Sequence, residues 1–116
     1  SVIVGGSDHT ITGDFDVIAG GTNNNISGGD FNFIGGGSGI DITGSAYSSS
    51  LGGYNNDIQK ASQSVIGGGY GNLIKDSESA ALFGGVSNTI TGNGFGFIGG
   101  GEYSEWQSRL HFGWRG

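Results

Sequence analysis

The run Ser64-Val65-Ile66-Gly67-Gly68-Gly69-Tyr70-Gly71-Asn72-Leu73-Ile74 holds the plan of the whole chain: an apolar pair, a glycine cluster, a polar turn and a second apolar pair. Its Gly68-Gly69 pair has counterparts at 5-6, 20-21, 36-37, 52-53, 84-85 and 100-101, spaced by 15 residues once and by 16 thereafter. Self-similarity of this kind precedes any assignment of individual elements. Stacked on the Gly-Gly pairs, the chain forms seven rungs with two isoleucine columns. One column is Ile3, Ile18, Ile34, Ile66 and Ile98, with Ser50 and Leu82 as exceptions; the other is Ile11, Ile26, Ile42, Ile58, Ile74 and Ile90, ending in Trp106. Eleven of the twelve isoleucines fall in these columns.

A 16-residue unit is too short for helix-pair or propeller-blade repeats, and it suits one coil of a β-solenoid with two short strands and two turns. β-Branched Ile favours the pleated surface. The expected fold is therefore all-β, a parallel β-solenoid or β-roll of about seven rungs over residues 1–101, with a divergent cap or tip at 102–116. The eleven isoleucines form its core, stacked at about 4.8 Å per rung.

Composition narrows the alternatives. Of 116 residues 28 are Gly, and Pro, Cys and Met are absent. Gly does not recur every third residue, so collagen is excluded; interior glycines would cost a helix about 1 kcal/mol each relative to Ala, so helices cannot dominate. Leu, Ile, Val and Phe together supply 28 residues, enough apolar surface to disfavour disorder. Disulfides and thiolate metal sites are excluded, and no apolar run is long enough to span a bilayer. Net charge is −6, and residues 1–59 carry six Asp with no Lys or Arg, which argues against nucleic acid as a partner. The chain opens inside a strand at Ser1 without an initiator Met, and reads as a piece of a longer protein.

The two turns differ. Gly-Gly permits positive φ and is followed by a column of Asn24, Asn56, Asn72 and Asn88, a residue type that tolerates left-handed geometry. The other turn carries the one-residue deletion and the charges Lys60, Asp76 and Glu78, as a surface loop would. A second apolar set has the parity opposite to Ile: Phe15, Phe31, Tyr47 and Phe95 in one column, Val2, Val17, Phe33, Val65 and Phe97 two positions on. Parity places both on the outer face of the strand. Such a strip is larger than a soluble monomer usually leaves wet. Phe15, Val17, Phe31, Phe33, Tyr47, Val65, Phe95 and Phe97 are therefore expected at an oligomer interface, with a homotrimer about a common axis as the favoured geometry. A flattened monomer packed on a neighbouring domain is the alternative.

The segments Ser64-Val65-Ile66-Gly67-Gly68-Gly69-Tyr70-Gly71-Asn72-Leu73-Ile74 and Asn32-Phe33-Ile34-Gly35-Gly36-Gly37 resemble the left-handed parallel β-roll head repeats of trimeric autotransporter adhesins of the YadA type, and Gly-Gly-rich repeats of phage tail fibres. The resemblance covers residues 1 to about 101; the unit here is slightly longer and has Gly-Gly where that family often has one Gly. It implies a trimeric fibre domain, extracellular, on a cell surface or on a virion, that attaches to a host or matrix.

No catalytic constellation is apparent, and no cofactor or metal is expected. His9 and His111 lie in different settings, and the acids are scattered over turns. Gly36-Gly37-Ser38-Gly39-Ile40-Asp41 matches the start of a calcium-binding nonapeptide, but it occurs once and the period is wrong for consecutive sites. An ice-binding face would need a regular Thr-x-Thr array, which only Thr10-Ile11-Thr12 and Thr89-Ile90-Thr91 offer. Glycine-rich stretches lack the accompanying base and helix of a phosphate cradle. The tail concentrates both tryptophans and two of the four bases, as a cap over the open core would, or a binding tip. Tyr103, Trp106, Arg109 and Trp114, with Tyr54 and Tyr70 on the side of the rod, are the candidate contacts to a host-surface glycan or protein. A self-assembling filament or matrix subunit without a receptor is the competing reading, and an ice-binding solenoid a minor one.

Overall fold

The structure, a computed structural model, describes residues 1–92 and 94–107. The chain winds into a parallel β-solenoid of about six turns. Its strands form two parallel sheets of seven. The first sheet stacks Val2–Ile3, Val17–Ile18, Phe33–Ile34, Ser49–Ser50, Val65–Ile66, Ala80–Leu82 and Gly96–Ile98 in that order. The second stacks Thr10–Ile11, Asn25–Ser27, Asp41–Thr43, Asp57–Gln59, Leu73–Lys75, Thr89–Thr91 and Glu105–Gln107. A third column of single parallel bridges runs Ser7, Thr22, Ser38, Tyr54, Tyr70, Val86, Glu102. The repeat thus continues to Gln107, past the boundary at 101 read from the glycines.

Register follows the isoleucines. Ile18 pairs with Ile3 and Ile34, and Ile58 with Ile42 and Ile74. From Ile18 and Ile26 onward every isoleucine is fully buried. The two that open the ladder are not: Ile11 is partly buried and Ile3 is 47% exposed, because no rung lies beyond them. Ile40, which stands outside both columns, is fully buried as well. The far end closes differently. Trp106 takes the place of Ile, and the residue opposite is Gly96, where any Cβ would run into the indole and into Ile90. Room made by one residue admits the bulk of the other, and the Trp106 Nε1–H donates to the Phe95 carbonyl at 3.2 Å.

Of each Gly-Gly pair only the second residue is sterically required. Gly21 has φ +92°, and a Cβ on it would collide with the Gly37 carbonyl of the next rung, whereas nothing lies near a Cβ on Gly20. The asparagine column proves to be interior. Asn24, Asn56, Asn72 and Asn88 are fully buried, and the left-handed residues are their predecessors Asn23, Asn55, Gly71 and Ser87, at φ 57°, 54°, 65° and 54°. Asn72 Oδ1 accepts the Asn88 N–H at 2.9 Å, and its Nδ2 donates to the carbonyls of Gly68 and Gly85, each at 3.0 Å. The side chain thus answers polar backbone groups that the turn leaves inside the coil. His9 opens this ladder by accepting the Asn24 N–H on Nδ1 at 3.2 Å. Ile40 interrupts it.

The parity argument for Phe15, Phe31 and Tyr47 is corrected. The strands beside them are only two residues long, and these three residues sit in the preceding turn at φ 59°, 63° and 56°. They form a corner of the coil, separate from the outer face of the strand.

Candidate functional site

The coil is thin, with principal extents of 39 × 23 × 12 Å, so its chemistry lies on its surfaces. The outer face of the first sheet consists of Val2, Val17, Phe33, Ser49, Val65, Ala81 and Phe97, flanked by Val4, Ala19, Gly35, Leu51, Gly67, Phe83 and Gly99. No position in either column is charged. Phe83 and Phe97 meet edge to face at 5.5 Å, a favoured aromatic arrangement. Val4, Leu51 and Phe83 are 69%, 53% and 56% exposed, and sequence reasoning missed them. Their column alternates with glycine next to the Gly-Gly turn and so reads as part of the turn.

The second sheet turns a different face outward: Thr10, Asn25, Asp41, Asp57, Leu73, Thr89 and Glu105 in one column, Thr12, Ser27, Thr43, Gln59, Lys75 and Thr91 in the next. The Thr-x-Thr rungs are separated by four others, so no regular threonine plane forms. Asp41 and Asp57 are register partners. Burial pushes the Asp57 carboxyl above its usual 3.8; the hydrogen bond from Gln59 opposes this and the neighbouring Asp41 charge adds to it. Asp57 Oδ2 accepts from Gln59 Nε2 at 2.5 Å, while Oδ1 is buried without a partner. Asp41, the acid of the calcium-like motif, therefore stands in a polar sheet face. Among the described residues no group of three His, Cys, Asp or Glu could hold a metal ion, and no helix is long and apolar enough to cross a membrane.

Aromatic rings form two ladders. Phe15, Phe31 and Tyr47 stack at centroid spacings of 4.9 and 5.0 Å with planes within 4°, and all three are exposed. Tyr54 and Tyr70 stack at 5.2 Å on the column of single bridges. Both spacings are close to the rise of a parallel stack, so the repeat itself brings the rings into contact. Phe95 occupies the corner column three rungs past the last stacked ring, with Gln63 and Ser79 between, and is 78% exposed. Of the tail candidates, Tyr103 is 73% exposed, whereas Trp106 is only 9% exposed and belongs to the core. Burial removes Trp106 from the exposed surface. Arg109 and Trp114 lie outside the described residues.

Comparison of the chain with protein-family models, with curated proteins and with solved structures finds no match.

Proposed function

We propose that the chain is a non-enzymatic fibre domain that trimerises through the outer face of its first sheet and serves attachment to a host or matrix. The observation that carries this reading is the absence of charge from all fourteen outward positions of that sheet, against the polar and charged columns of the other. Seven stacked strands at about 4.8 Å per rung make this face roughly 30 Å long, a continuous apolar strip of the kind that marks an interaction surface. Phe33, Phe97, Phe83 and Leu51 are its anchors, with Val17 and Val65 between them. The resemblance of the Ser-Val-Ile-Gly-Gly rungs to YadA-type heads and tail-fibre repeats points the same way.

Phe15, Phe31 and Tyr47 leave the interface set. They precede the strands, and at their corner stand the exposed carboxylates of Asp14 and Asp30. A symmetric contact there would bring like charges of several subunits together. Attachment falls to surfaces that remain outside the trimer, with Tyr54, Tyr70 and Tyr103 as aromatic contacts for a glycan or protein. Three copies on one rigid rod convert a weak single contact into avidity.

The test is sedimentation of the purified chain and of Phe33→Asp. A discrete trimer that the substitution converts to a folded monomer supports the reading. A polymer that lengthens with concentration would replace it with the filament, and a Phe33→Asp chain that stays trimeric would remove the first sheet from the interface.

A further inference from the structure

The corner ladder is built at a cost that the fold alone does not demand. From Phe15 to Ser79 the turn imposes a left-handed backbone at this column: Gln63 and Ser79 also have φ 57° there. Small or polar residues meet that demand with least strain, and a bulky side chain at positive φ is an outlier. Three consecutive rungs nevertheless carry Phe15, Phe31 and Tyr47, exposed by 68%, 48% and 62%. Strain and exposed apolar surface coincide in one stacked strip about 10 Å long, from ring spacings of 4.9 and 5.0 Å.

The strip has a charge of one sign. Asp14 and Asp30 immediately precede the first two rings and are exposed. Asp30 Oδ1 accepts the Asp14 N–H at 2.8 Å, which holds that carboxylate along the line of the ladder. The carbonyls of Asp14 and Asp30 accept the N–H groups of Phe31 and Tyr47, tying acids and rings into one corner. No Lys or Arg occurs in residues 1–59, so the first base in the chain, Lys60, comes only after the third ring.

We infer that the Phe15–Phe31–Tyr47 ladder with Asp14 and Asp30 is a docking strip for a short arginine-bearing extended segment of a partner protein. Aromatic rings attract a guanidinium through their π-electrons, and Arg stacks on them better than Lys does. Neighbouring carboxylates accept from its remaining donors. Three residues of extended chain cover about 10 Å, the length of the ladder. This site is independent of trimerisation, since it uses neither outer column of the first sheet.

The experiment measures fluorescence anisotropy of a fluorescein-labelled tri-arginine amide at about 150 mM salt, where exposed charges are screened beyond roughly 8 Å. A tri-glutamine amide and cellohexaose serve as comparison probes. Tri-arginine binds the parent chain, tri-glutamine does not, and Phe31→Ser with Tyr47→Gln weakens binding by about fivefold or more. The turn already holds Ser79 and Gln63 in this column, so these variants keep the fold, which circular dichroism checks. Asp30→Asn weakens binding as well, and Tyr54→Ser leaves it unchanged. Tri-arginine affinity within twofold of parent in the ladder variants would show attraction to net charge alone and overturn the proposal. So would equal binding of tri-glutamine, or binding of cellohexaose without tri-arginine. If the double variant unfolds, Phe15→Ser and Asp14→Asn decide the matter on the same scale.

Discussion

The two outer faces of the solenoid sit on the same interior and share the same 16-residue rhythm, yet one has no charge over seven rungs and the other carries Asp41, Asp57, Lys75 and Glu105. Stacking identical rungs requires the inside to repeat, because each Ile packs on the Ile above and below. Nothing in that requirement restrains the outward side chains. The contrast between the faces is therefore not set by the coil, and on the proposed reading the apolar one is the interface.

The largest effect separates inside from outside on a single strand. Ile34→Asp places a carboxylate in the fully buried column and costs at least about 4 kcal/mol, enough to abolish the β-signal in circular dichroism. Phe33→Asp next to it keeps that signal. Asn72→Ala attacks the interior shared by both faces: it orphans the Asn88 N–H and takes the side-chain donor from the Gly68 carbonyl, while the Gly85 carbonyl keeps the Tyr70 N–H, and denaturant melts fall by about 2 kcal/mol. Ser50 offers the reverse. Its hydroxyl is fully buried without a partner between Ile34 and Ile66, so Ser50→Ile completes the ladder and raises stability by about 1–2 kcal/mol in the same melts.

The smallest effect belongs to the polar face. Because the folded-state pKa of Asp57 is raised, the folded chain favours the protonated acid; this contribution is complete below 3.8 and is lost as pH rises through the elevated folded value. Asp57→Asn removes the loss. Because the side chain is only partly buried, the gain at pH 7 is a small rise in Tm, together with a flatter pH profile above 3.8.

How much of this was legible varies along the rung. The coil, its two sheets and the Ile ladders follow from spacing, since a residue that recurs every 16 positions in a parallel stack must touch its own copies. The asparagine column was visible, but its direction was not. Asn is common in left-handed turns and in buried caps alike, and only the backbone trace shows that Asn23 turns while Asn24 points inward. Phe15, Phe31 and Tyr47 were visible as an aromatic column. Their parity placed them on the strand face because alternation was carried past a strand that lasts two residues. For Trp106 the pattern favours a cap over a binding tip, but the room that Gly96 makes for the indole belongs to the tertiary structure.

The glycine register alone determines that this chain is a parallel solenoid with an isoleucine interior, because no other winding brings those columns into contact. Tertiary structure decided which polar residues belong to the interior and which apolar ones to a face or a corner. That depends on the sign of φ at single turn residues, and a repeat pattern gives the period of the chain without giving the direction in which it turns.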